Sequence, residues 1–236
     1  MSRVAAPEPT APPSTVSNLT LRIASAAVMI PAALGTAYFG GWPFALFWAA
    51  AAIAVLWEWM RLVKGAVWIA FGVPYAAALF VAPVVLRADA SFGLLAIVLL
   101  FAIVWSTDIF GYFGGRAMGG PKLMPAVSPK KTWSGAIAGT LGAMIVAVLV
   151  ARAFGTFSIV TIACVALLLS VCAQAGDLFE SFVKRKFNVK DSSQLIPGHG
   201  GVMDRLDGFW AAALAASVIG VSRGGVTDAA RGLLIW

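Results

Sequence analysis

Long apolar runs separated by short polar breaks dominate the chain, and several runs are long enough to cross a bilayer. The pattern predicts seven spans, at about 23–40, 42–60, 66–86, 92–115, 133–151, 157–176 and 207–222. Pro31, Pro74 and Pro83 fall inside runs and predict bends there. The third run, with two of these prolines, is the least regular, and the last is short unless it begins before Leu206. The expected fold is all-α: a polytopic transmembrane helical bundle of about seven spans, with polar loops forming an active site at one face. Along the chain, 1–21 reads as a disordered tail rich in proline (Pro7, Pro9, Pro12, Pro13). N-terminal spans fill 22–100, and a catalytic region fills 101–222 with loops at 108–132 and 177–206; 223–236 reads as a C-terminal tail.

Composition excludes the soluble alternative. Hydrophobic residues make up 61% of the 236 positions and charged residues 11%, against about 25% charged in soluble domains. Too little polar sequence remains to enclose the apolar runs in water.

Charge then orients the spans. With the N-terminus inside, thirteen of the 17 basic residues face the cytoplasm: Arg3, Arg22, Arg61, Lys64, Arg116, Lys122, Lys130, Lys131, Lys184, Arg185, Lys186, Lys190 and Arg205. Only Arg87, Arg152, Arg223 and Arg231 fall opposite. That asymmetry follows the positive-inside rule and predicts a multi-pass protein of the inner (plasma) membrane. It also assigns the net charge of +7 to topology and membrane lipids, not to a nucleic-acid partner. Cys164 and Cys172 share one apolar run, which argues against a disulfide framework. Trp42, Trp57, Trp59, Trp105, Trp133 and Trp210 lie toward span ends and are expected to anchor at the interface.

Two polar segments on the cytoplasmic side hold the candidate chemistry, Asp108 to Gly135 and Gln174 to Gly208. They contain six of the ten acidic residues: Asp108, Asp177, Glu180, Asp191, Asp204 and Asp207. Asp177 and Glu180 are three apart, as are Asp204 and Asp207, so on a helix each pair shares a face. Held together, like charges require a cation or a proton. Divalent-cation binding through oxygen and local pairing with Lys184, Arg185 or Arg205 fit this spacing equally well. Asp108 and Asp177 also adjoin very apolar sequence, where an unpaired carboxylate costs roughly 2.5–3.5 kcal/mol. Arg116 is near enough to answer Asp108, whereas no basic residue lies close before Asp177 until Lys184, which favours Asp177 as a metal ligand.

Anion-binding groups accompany these acids. Gly198, Gly200 and Gly201 flank the single histidine, His199, in a turn whose backbone N–H groups suit a phosphate. One histidine cannot build a zinc site; hydrogen bonding, phosphate contact or acid–base work remain open to it. Ser128, Lys130, Lys131 and Thr132 bring two hydroxyls and two ammoniums together, and Lys184, Arg185 and Lys186 form a second basic cluster. Metal, anion donors and an apolar surround suit phosphoryl or nucleotidyl transfer to a lipid.

The run from Ser181 to Asp191, continued by Ile196-Pro-Gly-His-Gly-Gly-Val-Met-Asp-Arg-Leu-Asp207, closely resembles the signature of the phosphatidate cytidylyltransferase (CDP-diacylglycerol synthase) family. The preceding Gly176-Asp-Leu-Phe-Glu-Ser181, Asp108 to Gly115 and Ser128-Pro-Lys-Lys-Thr-Trp133 are similar as well. The resemblance implies that CTP and phosphatidic acid give CDP-diacylglycerol and pyrophosphate by direct transfer. It implies Mg2+ on Asp177 and Asp204, with K+ as an associated second cation, and a homodimer. Asp207 is expected to hold Arg205 or a water. Ser181, Lys184, Arg185, Lys190, Asp191 and His199 also fall on signature positions, with Gly200 and Gly201 in its turn. Ser134 stands where many relatives carry an acid, which removes one carboxylate from that loop. A transporter or channel using intramembrane carboxylates is the main rival. Among enzymes a CDP-alcohol phosphotransferase comes nearest, but its Asp-Gly-…-Ala-Arg run is not found, and a cytidylyltransferase for another lipid phosphate stays open.

Overall fold

The computed structural model describes residues 18–236; the expected tail over 1–17 lies outside the described residues. Helix α1 (Asn18–Phe39) already includes the last four residues of that tail. There follow α2 (Gly41–Leu62), α3 (Ala66–Ala88) and α4 (Gly93–Met118), then a hairpin of β1 (Lys122–Met124) and β2 (Ser128–Thr132). The chain continues through α5 (Trp133–Phe154), α6 (Ile159–Lys186), α7 (Met203–Gly224) and α8 (Ala229–Leu234). Among the described residues, six helices, α1 to α6, are long and apolar enough to span a membrane. Helix α7, of 22 residues, covers the expected seventh span, starting four residues earlier than the hydrophobic run and carrying Asp204 and Asp207 in its first turns. The bundle is therefore all-α apart from one small antiparallel hairpin.

Three boundaries differ from the expected ones in ways that matter. Helix α6 runs ten residues past its apolar stretch, to Lys186. At 1.5 Å per residue, 28 residues span about 42 Å, longer than a hydrocarbon core of about 30 Å. Asp177, Glu180, Ser181, Lys184 and Arg185 consequently sit on a projecting helix end, not on a loop. In the same way α4 carries Asp108 on a helix. The expected C-terminal tail folds back as α8, where Ala229, Ala230, Leu233 and Leu234 are buried. Finally, α3 passes through Pro74 and Pro83 without a break.

Small residues bring α4 and α5 together. Any side chain at Gly135 would meet the Gly111 carbonyl, and one at Gly139 would meet the Thr107 carbonyl and Gly111. This is the close-packing logic of glycine pairs four apart in membrane helices. Gly176 plays the same part between α6 and α7, against the Asp207 carbonyl. Hydrogen bonds from Thr107 Oγ1 to Ser170 Oγ (2.8 Å) and from Gln174 Nε2 to Thr140 Oγ1 (3.0 Å) tie α4, α5 and α6.

Aromatic rings fill the centre. Trp48 stacks on Phe209 at 4.6 Å and Tyr75 on Trp210 at 4.4 Å. Each such pair contributes about 0.5–1.5 kcal/mol beyond its buried area. Trp59 is fully buried, its indole N–H donating to the Trp68 carbonyl at 2.7 Å, and Trp210 donates to the Tyr75 carbonyl at 2.9 Å. These two are core residues and not interface anchors, whereas Trp42, Trp57, Trp105 and Trp133 remain exposed.

The two ends of the bundle are distinct. One joins the start of α1, the end of α2, the hairpin and the 187–202 loop. At the other, Arg87 donates to the Ala37 carbonyl, and Asp89 accepts from the Arg231 amide at 2.8 Å.

Candidate active site

A cavity of about 640 Å³ opens at the hairpin end, between α4, α5 and α6. Asp108, Arg116, Lys122, Lys130, Lys131, Thr132 and Asp177 are among the residues lining it. Next in sequence to lining residues of α4 and α5 stand exposed apolar side chains, among them Ile109, Phe113 and Ile137.

The hairpin exists because two chain segments at a membrane surface must satisfy their backbone groups. Lys122 pairs with Thr132 and Met124 with Ser128, and the Trp133 amide donates to the Pro121 carbonyl at 3.1 Å. This register presents Lys130 and Lys131 to the cavity while Ser128 stays outside its lining. Thr132 is buried and caps α5, accepting from the Gly135 amide at 3.1 Å. Ser134 bonds the Gly119 carbonyl and lies 3.0 Å from Thr132 Oγ1, so it secures the hairpin to α5.

From the cavity lining two polar clusters follow each other along α6. The Lys131 ammonium is ion-paired with Asp177 Oδ2, and Ser181 Oγ reaches Asp177 Oδ1 at 3.4 Å. One turn on, both Glu180 oxygens are buried and accept no hydrogen bond among the described residues. Lys184 Nζ lies 3.3 Å from Glu180 Oε1 and 2.7 Å from Asp204 Oδ1, so one ammonium joins two acids. The other Asp204 oxygen accepts from the Gly201 amide at 2.8 Å and from the Ser192 amide at 3.0 Å, and the Ser192 hydroxyl also lies 3.0 Å from it. Asp207 accepts from the Gly208 amide at 2.7 Å.

Several expectations change here. Asp177 does have a basic partner, Lys131, which comes from a segment 46 residues away and was invisible to local spacing. Arg116 donates to the Tyr112 hydroxyl at 3.1 Å instead of answering Asp108; among the described residues Asp108 has no hydrogen bond or ion pair and faces the cavity. Arg205 turns away from Asp207 and donates through Nε to the His199 carbonyl at 3.1 Å. The backbone amides of the glycine turn are engaged within the protein: Gly201 serves Asp204, while His199 and Gly200 donate to the Ile196 carbonyl. Arg185, Lys190 and Asp191 are exposed and stand apart from the cavity lining.

His199 ties the turn to α1, its Nδ1 lying 2.6 Å from Ser25 Oγ, while Arg22 Nε donates to the Gly198 carbonyl at 2.9 Å. Partial burial, then Arg205, then Arg22, hold the His199 pKa below its ordinary value. The neutral ring this favours can accept the Ser25 hydroxyl proton.

Glu58 was overlooked in the sequence. Fully buried at the end of α2, it accepts from Ser192 Oγ, Ser193 Oγ and the amides of Val202 and Met203. Its one signal was being the single acid in an otherwise apolar run.

As a cation site, this chemistry consists of hard oxygen donors. No group of three His, Cys, Asp or Glu side chains forms a metal-sized cluster among the described residues. Mg2+ commonly takes only one or two carboxylates and completes its shell with water and substrate phosphate. Asp177 fits that role, since Oδ1 carries only the long Ser181 contact. Asp204 fits it less openly, because protein donors engage both of its oxygens.

Residues 63–222 match the Cytidylyltransferase family. A phosphatidate cytidylyltransferase of Brucella abortus (strain 2308) is 50% identical over 165 residues, covering 70% of this chain and 60% of the relative. One from Rickettsia bellii (strain RML369-C) is 38% identical over 205 residues, covering 81% of this chain and 86% of the relative. One from Rickettsia typhi (strain ATCC VR-144 / Wilmington) is 46% identical over 120 residues, 48% of this chain and 53% of that relative. The chain spans about three fifths of the length of the Brucella relatives it matches.

Proposed function

The chain belongs to the cytidylyltransferase family, and from that premise we propose that it transfers the cytidylyl group of CTP to phosphatidic acid, with Mg2+, at the cytoplasmic end of a multi-pass inner-membrane bundle. The relatives' names supply the substrate class. The observation that carries the reading is the cavity itself: it is lined by the Lys131–Asp177 pair and further basic residues, with exposed apolar side chains next to lining residues in sequence. A water-soluble triphosphate and a bilayer phosphate can meet in such a place.

In this reaction a phosphatidate oxygen bonds to the α-phosphorus of CTP, the bond from that phosphorus to the bridging oxygen breaks, and pyrophosphate leaves. The attacking oxygen is already anionic, so the site needs no general base. Lys131, Lys130, Lys122 and Arg116 line the cavity and would offset the crowded phosphate charge. Asp177, and Asp204 through Oδ1, would hold Mg2+, which supplies charge neutralisation on the triphosphate. Lys184 keeps Glu180 and Asp204 together. Asp108, which lines the cavity and makes no hydrogen bond or ion pair among the described residues, would accept hydrogen bonds from the sugar or base of the nucleotide.

The orientation rests on the basic residues, twelve of which, among the described residues, gather at the cavity end. The transporter reading is weaker, because the polar side chains deeper in the bundle bond one another. The test is purified protein in phosphatidic acid vesicles with CTP and Mg2+. CDP-diacylglycerol and pyrophosphate in equal amounts are expected; substrate-driven flux without nucleotide-lipid product would overturn the proposal.

A further inference from the structure

We infer that Glu58 is a positioning residue, holding the Ser192–Met203 segment so that Asp204 is aimed at the candidate site; its effect on turnover rests on the functional reading above. A buried acid at the end of an apolar helix is costly unless its charge is met by donors. Glu58 is met by four. Oε1 accepts from Ser193 Oγ at 2.6 Å and the Val202 amide at 2.8 Å. Oε2 accepts from Ser192 Oγ at 3.0 Å and the Met203 amide at 2.7 Å.

The two amides open α7, which has no side-chain cap of its own. Glu58 therefore caps that helix from α2, where the N-terminal end favours a negative charge. Capping by a distant acid leaves Asp204, one residue into α7, available to Lys184.

The link to Asp204 runs through Ser192. Its hydroxyl lies 3.0 Å from Glu58 Oε2 and also 3.0 Å from Asp204 Oδ2. A hydroxyl has one proton, so it donates to one acid and is held beside the other. The Ser192 and Gly201 amides then complete the grip on Asp204. Gly201 has no room for a side chain, which would meet Ser192 Oγ and both Glu58 oxygens. Asp204 is thus gripped by a loop that Glu58 secures.

Asp89 is the natural comparison. It is also buried and also accepts backbone amides, from Ser91, Phe92 and Arg231, but at the opposite end of the bundle. Its role is structural and touches nothing in the cavity lining.

The experiment compares Glu58→Gln with Asp89→Asn in the full-length protein. It uses residue-resolved hydrogen exchange together with kcat and KM for CTP and phosphatidic acid. In Glu58→Gln the amide NH2 turns a donor toward two donors. The Ser192 and Gly201 amides, which bond Asp204 and not Glu58, should exchange at least tenfold faster. Turnover should fall at least tenfold, with both KM values within about threefold. Asp89→Asn should change neither. Faster exchange confined to Val202 and Met203, or unchanged kcat, would reduce Glu58 to a helix cap and overturn the inference. Should Glu58→Gln fail to fold, Ser192→Ala carries the same test. It removes the bridge but keeps the cap, and undiminished kcat there would overturn the inference. If the wild type forms no CDP-lipid, the functional reading fails, and the exchange at Ser192 and Gly201 still decides the role of Glu58.

Discussion

Asp177 and Lys131 form a pair whose side chains are each a little over a quarter exposed. An ion pair that open to solvent adds only about 0–1 kcal/mol to stability, so its main consequence lies in the charge it presents to the cavity. Lys131→Met should lower turnover at least tenfold while shifting Tm by no more than a few degrees, as activity and thermal melts on one preparation will show. His199 offers a separate test. Its folded pKa is depressed, so the folded state binds fewer protons than the unfolded one, and stability rises with pH. The contribution is complete above the ordinary imidazole value of about 6.5 and is lost as pH falls through that value to the folded one. Ser25→Ala removes the hydroxyl that bonds the neutral ring. The Tm difference between wild type and Ser25→Ala should therefore shrink between about pH 7.5 and pH 5.5. The signature acids were legible residue by residue in the sequence. Their partners were not, because Lys131 meets Asp177, and Glu58 meets Ser192, across separations that no local spacing reveals.

At the scale of elements, the position of the site depends on two helices that outrun their apolar stretches. The hydrophobic pattern ends near Gln174, but the backbone of α6 stays helical through Asp177, Glu180 and Lys184, putting three charged groups in successive turns. Reading polarity as loop was the source of that difference: a helix leaving the bilayer turns polar before it ends. The glycine packing of α4 against α5 was equally hidden, since glycines in apolar runs look like interruptions until their partners are known. Gly139→Leu tests this packing. Its side chain would strike the Thr107 carbonyl and Gly111, and overpacking of this kind costs about 1–3 kcal/mol. We expect a lower Tm together with lost activity, because α4 and α5 are cavity walls. Ile145→Leu on the exposed face of α5 should leave both unchanged.

Over the whole molecule, the bundle separates its work by end. One end locks: Arg87, Asp89, Arg231 and the folded-back α8 close it. The other collects the cavity, the hairpin, the polar clusters and most of the basic residues. The bundle of about seven spans was legible because hydropathy reports directly on the bilayer. The inward folding of α8 was not, since a six-residue helix is too short to carry a bilayer signal. The central claim is that the Asp177 end of the cavity joins CTP to phosphatidic acid. Its most direct test is CDP-diacylglycerol formation by wild type and Asp177→Asn, side by side, in vesicles at limiting Mg2+. We predict product from the wild type and a loss of at least a hundredfold in the variant at equal Tm. Near-full turnover by Asp177→Asn under the same Mg2+ would contradict the account.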